Sequence, residues 1–149
     1  MQSASAITNL LHIYAERMDA GDFDGAAALF AKARIMMARG VEIDGAALAG
    51  HWREWVRLYP CGTPRTRHLV TNAIVEVDEE AGIASSRSCY TIFQQTETLP
   101  LQVICAGRYH DDFAREDGIW RFSARDYSLI DLVGDMSQHL LQPVPAPEL

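Results

Sequence analysis

A histidine and an amide, His68 and Asn72, stand four positions apart in the run 66–77, TRHLVTNAIVEV. With a strand's period of two, His68, Val70, Asn72 and Ile74 share one face, and Arg67, Leu69, Thr71, Ala73, Val75 and Val77 share the other. An imidazole and an amide separated by one aliphatic side chain are an unusual lining for an ordinary core. They suit a small pocket in which a few polar groups orient an otherwise apolar ligand. Imidazole titrates near neutral pH, so it can take and return protons, and a carboxylate beside it would fix its tautomer and raise its basicity. The competing role is a structural histidine bonded to backbone. The amide would orient a ligand carbonyl or a water rather than react.

Other chemistries lack their signatures. The chain has no H-E-x-x-H spacing, no glycine-rich phosphate loop and no G-x-S-x-G elbow. Neither metal nor cofactor is therefore expected. A formal charge of −7 argues against nucleic acid or an anionic membrane as partner. Cys61, Cys89 and Cys105 form no C-x-x-C pair and are odd in number, which fits reduced thiols in a cytoplasmic protein. No basic and apolar leader opens the chain, and no run approaches the roughly 20 apolar residues of a membrane helix.

The elements that must position His68 follow from periodicity. A chain of 149 residues with 48% hydrophobic content is one domain, large enough to bury its own core. Ile7, Leu10, Leu11, Tyr14, Ala15 and Met18 keep helical spacing after Ser5, a candidate cap, and Gly21 ends that helix. Asp22 caps a second short helix carrying Phe23, Ala26, Ala27 and Phe30. Residues 33–38 and 41–43 form a small hairpin around Arg39 and Gly40. A third helix then carries Leu48, Trp52, Trp55, Val56 and Tyr59 to a stop at Pro60, Gly62 and Pro64. Strands follow over 66–77, 83–95, 101–114 and 119–128, with Gly107 a candidate bulge. Residues 129–140 read as a short helix or an extended arm, and 143–149 as a frayed proline-rich tail beyond a domain spanning 1–142. Helices first and an antiparallel meander after them make an α+β fold, in which a curled sheet leaves a cavity beside the helices.

The segments 14–24 (YAERMDAGDFD), 66–72 (TRHLVTN), 107–111 (GRYHD) and 118–122 (GIWRF), running on to Arg125, resemble the nuclear-transport-factor-2-like superfamily, specifically its SnoaL-like branch. The resemblance implies a cone-shaped domain with N-terminal helices packed into a strongly curved antiparallel sheet. The branch includes scytalone dehydratase and bile acid 7α-dehydratase. Similarity to the latter implies Tyr14, Asp19 and His68 as catalytic residues, with Arg125 in the same pocket. Asn72 matches an amide common in the branch, and looser similarity to scytalone dehydratase implies His110 as a second histidine. Trp52 or Trp55 would line a cavity under the third helix.

The implied reaction is a dehydratase-like lyase step on a small cyclic or polycyclic hydroxy-carbonyl compound. The alternatives are a non-catalytic subunit similar to the small subunit of ring-hydroxylating dioxygenases, or an isomerase of the ketosteroid type. Leu69, Val75 and Val77 make one face of the 66–77 strand apolar and point to a partner surface; the resemblance implies dimers or trimers. Simple alternation conflicts with a pocket containing Arg125, because it sets that residue opposite Trp120, Phe122 and Ala124 unless a bulge intervenes. Asp111, Asp112, Glu116 and Asp117 read as a solvated hairpin end.

Overall fold

Ile7, Leu11, Tyr14 and Met18 are all buried, and their spacing is why Ser3–Ala20 form one long helix, α1, in the computed structural model, which describes residues 2–143. The cap is Gln2, three residues before the expected Ser5, and its side chain makes no capping bond. Gly21 ends it at φ 76°, and the N–H groups of Gly21 and Asp22 return to the carbonyls of Met18 and Arg17. A Cβ at Gly21 would stand 2.1 Å from the Gly62 carbonyl oxygen, so glycine lets the end of α1 lie against the 61–63 loop. That close approach carries Asp19 to the start of the next long strand.

Asp22 accepts from the Gly25 N–H at 2.9 Å and caps α2, Phe23–Ala28, as expected. The hairpin pairs β1, Arg34–Met36, with β2, Glu42–Asp44. A single 3-10 turn leads into α3, Leu48–Trp55, which stops four residues short of Tyr59 because Val56 is already extended. The meander consists of β3 (Thr66–Asp78), β4 (Ile83–Gln94), β5 (Gln102–Glu116) and β6 (Ile119–Asp126). The segment read as a helix or arm contains a strand, β7, Ile130–Val133, paired with β5. The expected tail begins at Pro143, and 144–149 lie outside the described residues.

The sheet runs β2-β1-β6-β5-β4-β3 and is curved and unclosed. It is mixed rather than wholly antiparallel, because β1 joins the far edge of the meander parallel to β6. The fold is α+β and NTF2-like, with the helices on the inner face of the sheet. Among the described residues no helix is long and apolar enough to cross a membrane.

Two bulges change which side chains reach that inner face. In β3, Thr71 opposes Cys89 and Ile74 opposes Arg87, so Asn72 and Ala73 together face Ser88. Asn72 takes φ 55°, a left-handed conformation that asparagine tolerates. Before the bulge His68 and Val70 point inward; after it Val75 and Val77 pack on the core while Ile74 is 54% exposed. The expected single face of His68, Val70, Asn72 and Ile74 is therefore split, and Asn72 is exposed. The opposite set is split too, with Leu69 outward and Val75 and Val77 inward.

In β6, Asp112 opposes Ala124 and Phe113 opposes Phe122, which leaves Ser123 as the extra residue. Trp120, Phe122 and Arg125 are all buried as a result, and Ala124 leaves their face.

Gly107 is needed for a different reason from the bend expected of it. The register of β5 against β7 does shift beside it, but a Cβ there would also meet the Leu129 carbonyl at 2.4 Å and the Tyr90 hydroxyl at 2.6 Å. Gly107→Ala is expected to destabilise the chain by about 1–3 kcal/mol through overpacking. A lower urea midpoint with an unchanged slope would be the readout.

Candidate active site

Asp19 leaves the last turn of α1 half-buried and makes three hydrogen bonds to the first residues of β3. Its Oδ1 accepts from the Thr66 hydroxyl at 2.9 Å, and its Oδ2 accepts from the His68 backbone N–H at 2.8 Å. The same Oδ1 lies 2.5 Å from His68 Nδ1. A carboxylate can only accept, so Nδ1 carries the hydrogen, and in the neutral ring Nε2 keeps the lone pair. Both side chains are sheltered, at 5% exposure for His68 and 12% for Asp19. Asp19 lies far around the helix from Tyr14, yet it reaches the same place because the end of α1 crosses the start of β3.

Tyr14 joins this pair to a second polar group. Its buried ring stands edge-on to His68, with centroids 6.4 Å apart, and its other side lies 4.4 Å from the Arg125 guanidinium carbon. Tyr109 at 3.9 Å, Phe122 at 5.0 Å, Phe30 at 5.1 Å and Tyr127 at 5.5 Å complete an aromatic cage around that guanidinium. Asp111 binds it in a fork, at 2.6 Å to Nε and 2.9 Å to Nη2, with both side chains fully buried. Burial works against both charges and pushes the Asp111 carboxyl up, while the bidentate contact keeps the guanidinium protonated. Arg125 Nη1 is buried with no partner. Burial pushes the Tyr14 phenol well above its ordinary value, so it remains a hydrogen-bond donor.

The structure thus brings Tyr14, Asp19, His68 and Arg125 together. Trp52 stands behind them, 6.2 Å from Tyr14 and 6.1 Å from Phe23, as part of the core wall. Two other expected residues are elsewhere. Asn72 is exposed at the β3 bulge, and His110 is exposed on the outer face of β5, opposite Arg87 and Asp126. Asp111 corrects the solvated hairpin end: Tyr109, Asp111 and Phe113 alternate inward on β5, and that period of two was the signal to follow.

His139 was not anticipated at all. It lies after β7 in a segment without periodicity, is 6% exposed, and is electrostatically coupled to His68 and Asp19. Among the described residues no group of three or more His, Cys, Asp and Glu side chains gathers as metal ligands would. A cleft of about 580 Å³ opens between α1 and β3, with His12, Glu16, Asp19, His68 and Val70 in its wall.

Burial is the main cause that lowers the His139 pKa from 6.5 to about 4, with the neighbouring His68 adding to the fall and Asp19 opposing it. Between those values the unfolded chain binds a proton that the folded chain refuses. Stability should therefore fall as pH drops from about 6.5 to 4, by about 3 kcal/mol from this group. His139→Gln is expected to flatten that part of the stability-against-pH curve, measured as urea midpoints from pH 7 to 4.

The likeness to known proteins extends over most of the chain. A protein of unknown function from Mycobacterium tuberculosis superposes with a TM-score of 0.66 at 26% identity, over 83% of this chain and 69% of that one. A protein from Novosphingobium aromaticivorans, provisionally named a scytalone dehydratase, gives 0.70 at 22% identity, over 96% and 89%. The β subunit of a provisionally named aromatic-ring-hydroxylating dioxygenase from the same organism gives 0.68 at 19% identity, over 87% and 89%. No match was found among curated protein sequences. The model of the SnoaL-like domain matches residues 1–126, and the chain belongs to that family.

Proposed function

We propose that this protein is a cofactor-independent lyase of the dehydratase type, acting on a small cyclic or polycyclic hydroxy-carbonyl compound. The observation that carries the reading is the contact of Asp19 with His68 Nδ1, which leaves Nε2 as a sheltered base. In a β-hydroxy ketone the proton beside the carbonyl is the acidic one, and His68 Nε2 takes it. The electron pair moves onto the carbonyl oxygen as an enolate. We assign the Tyr14 hydroxyl, whose ring stands edge-on to His68, as the donor to that oxygen, worth a few kcal/mol. The pair then returns to form the carbon–carbon double bond, the β-carbon–oxygen bond breaks, and the leaving hydroxide takes the proton back from His68. Enone and water are the products, and the protein ends as it began.

Ala15 and Val70 give the cleft beside His68 an apolar lining that suits an apolar substrate. The similarity to a provisionally named scytalone dehydratase supports this class of reaction. A ketosteroid-type isomerase would use the same base but return the proton to another carbon, so the product distinguishes the two. The three free thiols suit a reducing cytoplasm.

A second reading rests on the outer sheet face, where Leu69 and Ile74 are exposed, and on the similarity to a dioxygenase β subunit. Such a subunit would co-purify with a larger iron–sulfur subunit, whereas the enzyme reading expects a homodimer or homotrimer. Sedimentation of the purified chain separates them.

With a panel of cyclic β-hydroxy ketones, enone absorbance should grow with the native chain. His68→Ala is expected to lower the rate by roughly 10²–10⁴-fold, and Asp19→Asn to lower it severely by freeing the tautomer. Full activity in His68→Ala would sink the mechanism.

A further inference from the structure

One wall of the cleft beside His68 is backbone. β3 is the last strand of the sheet and pairs with β4 alone among the described strands, so one of its edges is free. In an antiparallel pair the backbone groups of successive residues point alternately toward the partner strand and away from it. Two bonds fix the alternation at the start of β3. The Arg65 carbonyl accepts the Gln95 N–H on the β4 side, whereas the His68 N–H donates to Asp19 Oδ2 on α1. Odd-numbered residues of this run therefore face β4, and even-numbered ones face away. The register from Thr66 to Thr71 is unbroken, so the alternation extends to Val70.

The His68 carbonyl and the N–H and carbonyl of Val70 thus point off the free edge. Among the described residues none of the three has a hydrogen-bond partner. His68 is half-buried as a residue although its side chain is only 5% exposed, so its open surface is backbone. Both residues line the cleft between β3 and α1. The open run is short. Asp19 occupies the His68 N–H at one end, and the bulge at Asn72 and Ala73 breaks the register at the other. What lies between is roughly 7 Å of strand, two residues long. That is too little for a strand of a second copy, which pairs over about five residues. A unit the size of one residue fits.

The order of acceptor and donor selects that unit. Along the edge the His68 carbonyl, an acceptor, is followed by the Val70 N–H, a donor. A ligand that meets both needs a donor and an acceptor on either side of one carbon, pointing the same way. An extended –NH–CHR–CO– unit has that spacing, since it is what an added strand presents to an edge. A lone amide link does not, because its N–H and C=O point in opposite directions across the planar bond.

We infer that this cleft binds an aminoacyl unit, with its N–H to the His68 carbonyl and its carbonyl to the Val70 N–H, and that the hydroxy-carbonyl substrate carries that unit as a substituent. The second half rests on the reading of His68 as the base; the docking edge does not. A unit docked on the edge holds the attached ring in the same cleft that His68 lines.

The test uses two conjugates of 3-hydroxy-5-oxocyclohexanecarboxylic acid on the full ¹⁵N-labelled chain. One is the glycine N-methylamide; the other is its glycolate analogue, in which an ester oxygen replaces the glycine N–H. The glycine conjugate is expected to shift the Val70 amide signal and to bind about tenfold more tightly than the glycolate. Replacing Val70 by its α-hydroxy acid, which deletes that backbone N–H and keeps the side chain, should weaken the glycine conjugate by about as much. A thermal melt confirms that this protein folds, and the two conjugates on the native chain need no variant. If both conjugates bind alike and move His68 while the Val70 amide stays still, the docking edge is wrong and the lyase reading stands. A Val70 shift without loss of water from either conjugate keeps the docking edge and removes the lyase reading. If neither conjugate moves the Val70 or His68 signals, both fall.

Discussion

The site depends on one carboxylate. Asp19 ties the C-terminal turn of α1 to the first residues of β3 through a hydroxyl, a backbone N–H and an imidazole nitrogen. The backbone bond fixes where His68 sits on the strand, and the side-chain bond fixes how its ring is turned. The sheltered position strengthens both, because neither side chain is free to exchange its partner for water. Without the glycine turn at Gly21, α1 could not lie against the 61–63 loop, and the carboxylate would fall short of the strand. A local backbone requirement thus propagates through one side chain into the orientation of a base.

The second constraint is the buried Arg125–Asp111 pair. Two charges removed from water stabilise a fold only when their geometry is good and their remaining hydrogens are satisfied. Here the fork is bidentate and the guanidinium faces are covered by aromatic rings, but one nitrogen is left over. A pair of this kind is weak as a source of stability and well suited to holding a donor in place. Tyr14 is packed between it and His68, so base and donor share one rigid wall. Rigidity of that sort is what lets a donor act on a developing charge without reorganising.

Much of this was legible in the residues. The helical spacing of α1, the Asp22 cap, the hairpin and the meander all follow from periodicity and turn chemistry, and Tyr14, Asp19, His68 and Arg125 follow from the family resemblance. Two bulges set which side chains the strands turn inward. One extra residue in β3 moved Asn72 to the surface against expectation, and one in β6 turned Arg125 inward beside Phe122, the side that the resemblance implied and simple alternation denied. A bulge is fixed by cross-strand register, which depends on the partner strand and leaves little trace in the strand that carries it. Asp111 was hidden by its acidic neighbours although its alternation with Tyr109 and Phe113 was visible. His139 had no local signal, since its place is set by the segment after β7, whose hydrogen bonds reach α3, β4 and β5. His110 shows the converse: a histidine at a plausible sequence position that the strand simply turns outward.

The central claim is that Asp19 holds His68 with its hydrogen on Nδ1 and its lone pair on Nε2. Long-range ¹H–¹⁵N NMR of the imidazole nitrogens reads this directly, with no substrate required. At neutral pH the account predicts a protonated Nδ1 and an unprotonated Nε2 for His68, with that preference lost in Asp19→Asn. A hydrogen resident on Nε2 in the native chain, or a tautomer indifferent to Asp19, would contradict it.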